Sequence, residues 1–285
     1  MTHAFCITSY HDFTQLSSLL QLLTENGYDC YVHIDKKSKI PSAFTERWAD
    51  NAHVMQISSQ RIYWGSYRHV LAVLELLQSA ANSKTYSFYH IISENTMPIC
   101  TKTQLEAFFN THAENSFLEL VSAHQQDAAA SRTRYFYFQH LFNTRSLMGL
   151  RLERLLILAQ RLLHVHRRFC PMYKGYLYCH LNKNFVAWLL QNKSLWQPYL
   201  RKLRYCYVGE EYFFQNLIMQ SPFAGLAVND ALIFDVWNSP ERGLPAVLAE
   251  EDKAQLENSE KLFARKFSSQ TPALAELFTM HFISN

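Results

Sequence analysis

Glycine is scarce in this sequence, and the few glycines lie far apart. The chain has 285 residues with 7 glycines, and no two are spaced as GxGxxG or GxxxxGK. Rossmann and Walker phosphate loops are therefore excluded, and so is the GxSxG elbow of serine hydrolases. Metal motifs are missing as well: no DxD follows a predicted strand, no HExxH is present, and His164 and His166 stand isolated among arginines. We therefore predict no metal and no cofactor.

Long apolar runs and a strong net charge are also missing. No run approaches the roughly 20 apolar residues of a membrane-spanning helix, and no basic segment precedes the first apolar run, so we expect no anchor and no signal peptide. The net charge of +3 is too small for wrapping a polyanion, so we expect no nucleic-acid partner. The 6 cysteines are scattered without CxxC spacing, which favours reduced thiols in a cytoplasmic protein.

Hydrophobic residues are abundant, at 48% of the chain, and predict a large core. In the first half, short β-branched and aromatic runs alternate with amphipathic stretches, which is typical of βαβ units and an α/β fold with a mostly parallel sheet. We predict strands near 3–9, 29–34, 53–57, 86–92, 115–120 and 225–235. We predict helices at 13–24, 67–81, 103–111, 182–191 and 210–220 and from about 249 and 271, with Gly27 as a helix stop and Thr103 as an N-cap.

One stretch has a sharp charge asymmetry. Residues 131–170 contain eight arginines and a single acid, Glu153. Arg151, Arg154, Arg161 and Arg168 are spaced to share one face of a helix, and leucines fill the other face. Two interpretations are open: a solvated face on a core helix, or a docking surface for an anionic membrane or a lipid-linked acceptor.

Polar residues follow two of the predicted strands. Asp35 comes after the second strand and Arg61 after the third. Open α/β sheets bind ligands at the carboxyl ends of their strands. Asp35 therefore either accepts hydrogen bonds from a base or ribose, or simply caps a turn and pairs with Lys36 or Lys37.

Three candidates in the second half also have two interpretations. Glu210 and Glu211 either complement a helix dipole or include a general base for a hydroxyl group. Arg265 and Lys266 either face solvent or hold a departing diphosphate, whose negative charge grows as its bond breaks. Trp237 either lies in the core or stacks on a sugar.

Several of these segments occur together in an order that identifies a resemblance. They are YVHIDKKS at 31–38, RIYWGS at 61–66, YHIISENTMPI at 89–99, FLE at 117–119, GEEYFF at 209–214, VW at 236–237 and LFARKF at 262–267. The chain resembles the core 2/I-branching β-1,6-N-acetylglucosaminyltransferase family, which includes the peptide O-xylosyltransferases. The resemblance implies a GT-A-like fold, with about 1–125 as a nucleotide-binding half and about 126–285 as an acceptor and catalytic half of a single domain.

The resemblance implies an inverting transfer of sugar from a UDP-sugar without a metal ion. Glu211 matches the catalytic carboxylate, which deprotonates the acceptor hydroxyl. Lys266 matches the lysine that binds the diphosphate, with Arg265 beside it, and the two cations replace the metal. Asp35 falls where the family contacts the nucleoside, and Arg61 lies close to a segment that lines the same site.

Acceptor binding is implied for Glu119 and Trp237, and we assign Glu210 to it as well. The chain departs from the vertebrate pattern where a further arginine binds the diphosphate, a position that aligns with Ala246, and Arg242 is the nearest replacement. The absence of anchor, stem and disulfides suggests a bacterial, cytoplasmic member, peripheral at the inner face of the plasma membrane, that acts on precursors of surface polysaccharide or lipooligosaccharide. The competing hypothesis is a non-catalytic peripheral membrane or assembly protein that uses the basic 131–170 segment.

Overall fold

The first strand, His3–Ser9, is buried at every residue, which places it in the middle of a sheet covered on both faces. In this computed structural model, which describes residues 1–122, 127–237 and 244–284, it lies in a seven-stranded sheet of order β10-β6-β9-β4-β1-β2-β3. The strands are β1 His3–Ser9, β2 Asp29–Ile34, β3 Val54–Ile57, β4 Phe88–Ser93, β5 Thr96–Pro98, β6 Ser116–Leu118, β7 Val121–Ser122, β8 Tyr173–Lys174, β9 Cys179–Asn182, β10 Ala227–Asn229, β11 Ile233–Phe234 and β12 Phe263–Arg265.

The central sheet is mainly parallel, as predicted. Strands β3, β2, β1 and β4 run in one direction, and β9 is antiparallel to both of its neighbours, β4 and β6. A second sheet has the order β11-β12-β5, and β7 pairs with β8. Strands β9 and β10 of the second half therefore belong to the same sheet as the strands of the first half.

Helices cover both faces of the central sheet. They are α1 Phe13–Glu25, α2 Ser42–Trp48, α3 Arg68–Ser83, α4 Lys102–Thr111, α5 Asp127–Arg134, α6 Leu147–Leu162, α7 Lys183–Gln191, α8 Lys193–Leu203, α9 Phe213–Met219, α10 Lys253–Glu257 and α11 Pro272–Ile283. Phe5 and Ile7 of β1 pack toward α1, α2, α4 and α11, whereas Ala4 and Cys6 pack toward α3, α7, α8 and α9. The two-residue period of the strand thus feeds two separate cores.

Three details of the sequence prediction are wrong. The N-cap of α4 is Thr101 rather than Thr103. Helix α6 ends at Leu162, so Arg168 is not on it. Most of the predicted apolar face of α6 is exposed rather than packed on a core, because only Gly149 and Glu153 of this helix are buried.

Two further features concern the described residues only. No helix among them is both long and apolar enough to cross a bilayer. Five of the cysteines are buried thiols, and Cys170 is exposed.

Candidate active site

A cleft of about 430 Å³ opens at the carboxyl ends of β1, β2 and β4. Thr8 and Ser9 of β1, Asp35 after β2 and Ser93 of β4 line its floor. Six of the eight predicted site residues line this cleft, namely Asp35, Glu210, Glu211, Trp237, Arg265 and Lys266. Residues more than 200 positions apart in the chain therefore meet in one cavity.

Asp35 joins the end of β2 to the loop that follows β3. Its Oδ1 accepts from the Lys37 backbone N–H at 2.9 Å, and its Oδ2 accepts from the Ile62 N–H at 3.3 Å. Lys37 Nζ lies 3.2 Å from Oδ2 and packs 4.5 Å from the ring centre of Tyr63. The turn cap and the lysine pair expected from the sequence are both present, and Asp35 also faces the cleft.

Arg61 and Glu119 do not line the cleft. Arg61 is exposed, and its neighbour Ile62 contributes to the lining. Glu119 lies behind the cleft, where its Oε2 accepts from the Tyr176 backbone N–H at 3.0 Å, and burial raises the pKa of its carboxyl group. Glu119 thus positions Tyr176, which does line the cleft.

The two acids lie in a 3-10 turn, Gly209–Tyr212, directly before α9. Glu210 Oε2 lies 2.9 Å from His69 Nδ1, and His69 Nε2 lies 3.0 Å from Thr8 Oγ1. These two hydrogen bonds connect the turn to α3 and to the end of β1. Glu210 is therefore fixed in position by two elements on the floor of the cleft.

Glu211 makes a different contact. Its Oε2 lies 2.6 Å from Arg132 Nη1 of α5. Burial raises the pKa of Glu211, and Glu210 adds to this, while the charge of Arg132 opposes it. A carboxylate with a raised pKa is a better proton acceptor than an ordinary one, provided that it is ionised at the working pH.

The backbone around this turn is closely packed. Val208 has φ of 51°, a left-handed conformation that is strained for a β-branched residue. Its N–H donates to Gln139 Oε1 at 2.7 Å. A Cβ on Gly209 would lie 2.4 Å from the carbonyl oxygen of Leu203, so only glycine fits there. The position of both acids is therefore set by buried contacts.

Gly175 connects the turn to the Glu119 segment. Its N–H donates to the Glu211 backbone oxygen at 2.9 Å. A Cβ at this position would lie 2.0 Å from the Glu119 carbonyl oxygen. The Lys174-Gly175-Tyr176 segment thus brings two backbones together beside the cleft.

The two cations stand at the end of β12, and a cis peptide bond joins them. Arg265 is buried, with its guanidinium carbon 4.6 Å from the ring centre of Tyr178. Its Nε is buried and has no hydrogen-bond partner among the described residues. Lys266 is partly exposed in the cleft.

Trp237 is 55% exposed and is not part of the core. Its ring stacks on Tyr176, with 6.1 Å between ring centres and 17° between planes. Asp235 holds both rings, because Tyr176 Oη donates to its Oδ2 at 2.8 Å and Trp237 Nε1 donates to its Oδ1 at 3.1 Å. Two oriented aromatic rings with an exposed face suit stacking on a sugar.

Ala246 stands where the vertebrate pattern has a further arginine for the diphosphate. Ala246 donates its N–H to the Val236 carbonyl at 2.7 Å. Arg242, the predicted substitute, lies outside the described residues.

Sequence reasoning missed three side chains of the site: His69, Arg132 in its contact with Glu211, and Tyr178. Each meets its partner across a long stretch of chain; His69 and Glu210, for example, are 141 residues apart. No local pattern marks such pairs, whereas residues that follow a strand can be recognised from the strand itself.

Comparison with known proteins gives one informative match. The model of the Core-2/I-Branching enzyme family matches residues 3–258. The chain therefore belongs to this family of glycosyltransferases, and the resemblance noted in the sequence is confirmed. No curated protein matches the chain.

Similar solved structures are remote. One is S. aureus TarS, residues 1–349, at 12% identity and a TM-score of 0.30, where the match covers 48% of this chain and 41% of that one. Another is A197 from STIV, at 12% identity and a TM-score of 0.28, covering 66% of this chain and 68% of that one. The chain thus matches about two fifths of the TarS structure.

Proposed function

We propose that the protein is an inverting, metal-independent glycosyltransferase that moves a sugar from a UDP-sugar to a glycan acceptor. The observation that supports this most is the joint placement of the Glu211 carboxylate and the cations Arg265 and Lys266 in one cleft at the strand ends. The first candidate donor is UDP-GlcNAc, and UDP-xylose is the next. The proposed acceptor is an oligosaccharide or lipid-linked glycan of a surface polysaccharide.

In the proposed reaction, an acceptor hydroxyl attacks the anomeric carbon from the face opposite the diphosphate. The new C–O bond forms as the bond to the diphosphate breaks, and Glu211 takes the hydroxyl proton. UDP leaves with the bonding electron pair, and its growing charge is stabilised by Arg265 and Lys266. Asp35 contacts the nucleoside, while Trp237 and Glu210 hold the acceptor.

The role of Glu211 is tested by paired amide substitutions. We expect Glu211→Gln to lower kcat by roughly a hundredfold to ten-thousandfold, the usual contribution of a general base, with UDP affinity unchanged. Glu210→Gln, the matched variant, should mainly raise KM for the acceptor. Steady-state kinetics with UDP-sugar and an oligosaccharide acceptor measure both. Near wild-type turnover of Glu211→Gln would remove this residue from the mechanism.

The role of the cations is tested by thermal-shift titration with UDP, GDP, CMP and UDP-sugars, each in EDTA and in excess manganese. A UDP-specific shift that survives EDTA is expected. Lys266→Ala should weaken UDP binding by roughly tenfold to a hundredfold, since it removes a charged hydrogen bond. Lys193→Ala, which changes an exposed lysine outside the cleft, is the control. A shift that requires manganese would refute the two-cation scheme, and no shift with any nucleotide would refute the proposed function.

A further inference from the structure

Helix α6 has leucines on its outward face. Its inner face is mixed, because Leu156 and Ile157 are half-buried there beside the buried Glu153, and Gln160 exchanges two hydrogen bonds with the backbone of Phe136, at 2.8 and 3.0 Å. Its outward side is rich in leucine. A helix that rests on a protein core in water normally shows the opposite arrangement.

The outward residues repeat at helical spacing. We call this surface the α6 face, and it consists of Leu147, Arg151, Leu155, Leu158 and Leu162. Its leucines are 78%, 63%, 52% and 72% exposed. Met148 beside it is 82% exposed. Four leucines and a methionine so exposed on a single helix form an apolar patch, which on soluble proteins marks an interaction site.

Cations accompany this patch, and acids do not. Arg154 and Arg161 flank the α6 face on one side and are exposed, as is Arg151 within it. The only acid in the helix, Glu153, is on the buried side. No ion pair joins Arg151 or Arg154 to an acid among the described residues.

We propose that the α6 face docks on a bilayer that contains anionic lipid, with the helix lying in the plane of the interface. Leucines would enter the boundary between headgroups and acyl chains, and arginines would pair with lipid phosphates, which is how amphipathic helices bind at membrane interfaces. A second copy of the chain fits this surface less well. A two-fold contact centred on α6 would bring the arginines of both copies together, and the single acid of the helix, Glu153, is buried and does not face them.

The helix also begins at the edge of the cleft. Ser146, its N-cap, donates from Oγ to the Asn143 carbonyl at 2.8 Å, and Asn143 and Arg145 line the cleft. A bilayer under α6 would therefore lie next to the cleft opening, within reach of a lipid-linked acceptor. This last point rests on the proposed function, whereas docking itself does not.

The test is co-sedimentation of the full chain with vesicles of phosphatidylcholine, alone or mixed with phosphatidylglycerol, at low and high salt. Wild type should bind the mixed vesicles at low salt and bind neutral vesicles far less. The triple variant Arg151→Gln, Arg154→Gln, Arg161→Gln should lose roughly fivefold in partition coefficient for each arginine. The variant Leu155→Gln, Leu162→Gln should lose the binding that remains at high salt.

A control variant distinguishes the effect of this surface from the effect of charge in general. The triple variant Lys183→Gln, Lys193→Gln, Lys253→Gln removes the same charge from other helices and should bind as wild type does. Equal binding by the arginine and lysine variants would overturn the proposal, as would no binding to any vesicle. A lipid-free dimer that dissociates in the leucine variant, seen by sedimentation velocity, would assign the face to a second copy and would overturn it too.

The proposed function fails or holds independently. Glu211→Gln should bind vesicles as wild type does, and the thermal shift with UDP should be unchanged in the α6 variants. In the wild-type protein, a normal UDP shift without vesicle binding refutes the membrane surface alone, whereas vesicle binding without a UDP shift refutes only the proposed function.

Discussion

Because of the Arg132–Glu211 ion pair, the charge state of the proposed base depends on a residue of helix α5. Arg132 is held in place through its backbone, because its carbonyl accepts from the Tyr207 N–H at 2.8 Å, just before the turn that carries the two acids. Burial raises the pKa of Glu211, and Arg132 limits that rise. A base must be ionised to accept a proton, so activity should fall as the pH drops through the raised pKa.

Replacing Arg132 should therefore shift the pH dependence of the reaction. In Arg132→Gln, burial acts on Glu211 without the opposing cation, and the pKa of Glu211 rises further. We expect the acidic limb of the profile of kcat/KM against pH to move to higher pH. Arg134→Gln, on the exposed side of the same helix, should leave the limb in place. An unchanged limb in Arg132→Gln would show that Glu211 is not the titrating base.

At the scale of elements, the N-cap of helix α4 is Thr101, whereas Thr103 was predicted from the sequence. Thr101 Oγ1 accepts from the Gln104 N–H at 3.2 Å, and Gln104 Oε1 accepts from the Thr101 N–H at 2.8 Å. The sequence pattern alone does not select between the two threonines, since Gln104 follows Thr101 by three residues and Glu106 follows Thr103 by three. In the structure the reciprocal bonds of Thr101 and Gln104 form the capping box.

The two threonines give a direct comparison. Thr101→Ala should lower the free energy of unfolding by about 1 kcal/mol, because the Gln104 backbone N–H loses its partner. Thr103→Ala should be neutral or slightly stabilising, since Thr103 is exposed inside the helix and alanine has the higher helix propensity. Urea denaturation measures both. Equal losses in the two variants would contradict the assigned cap.

Elements with a clear hydrophobic period were predicted well, and elements set by distant contacts were not. Strands β1 and β2 match their predicted bounds, because buried central strands are continuous apolar runs. Helix α8 was missed, since it contains Pro198. Strand β9 was missed because its 4 residues, with a polar His180, have no detectable period. For α6, the period predicts a helix but not which side the core covers.

At the scale of the whole molecule, the cleft joins two sheets. The strand-end residues around Asp35 were predictable, because the parallel strands of the central sheet end at the same edge. The placement of Arg265 and Lys266 was not, because it depends on β12 pairing with β5 and β11 in the second sheet. The residues left two interpretations of this pair open, and only the family resemblance favoured diphosphate binding.

Three buried histidines connect neighbouring strands through the core. His3 Nδ1 lies 2.8 Å from His90 Nε2, His90 Nδ1 lies 2.9 Å from His180 Nδ1, and His180 Nε2 lies 3.1 Å from the Ala231 carbonyl. A carbonyl only accepts, so His180 must donate from Nε2. With all three rings neutral, His90 then donates from Nδ1 to His180, and His3 donates from Nδ1 to His90.

These three histidines should make the stability of the fold sensitive to acid. Burial lowers the pKa of His3 to about 4 and that of His180 to about 3, and it lowers the pKa of His90 as well. In the unfolded chain these side chains take up protons below about pH 6.5. The unfolded state then binds more protons, so the stability present above that pH is lost as the pH falls, by roughly 1.4 kcal/mol per pH unit for each histidine.

The variant His3→Phe tests whether the three histidines cause this pH dependence of stability. It removes the first histidine of the hydrogen-bonded series, whose Nε2 has no hydrogen-bond partner among the described residues. We expect lower stability than wild type at pH 7, since His90 Nε2 loses its donor. Between pH 6 and pH 5, the free energy of unfolding should fall less steeply with pH than in wild type, by the equivalent of about one bound proton. Urea denaturation at several pH values measures it. His166→Gln, at an exposed position, should keep the wild-type slope. A His3→Phe variant with the wild-type slope would mean that His3 is already protonated in the folded protein, in which case the tautomers derived from the Ala231 carbonyl would be wrong.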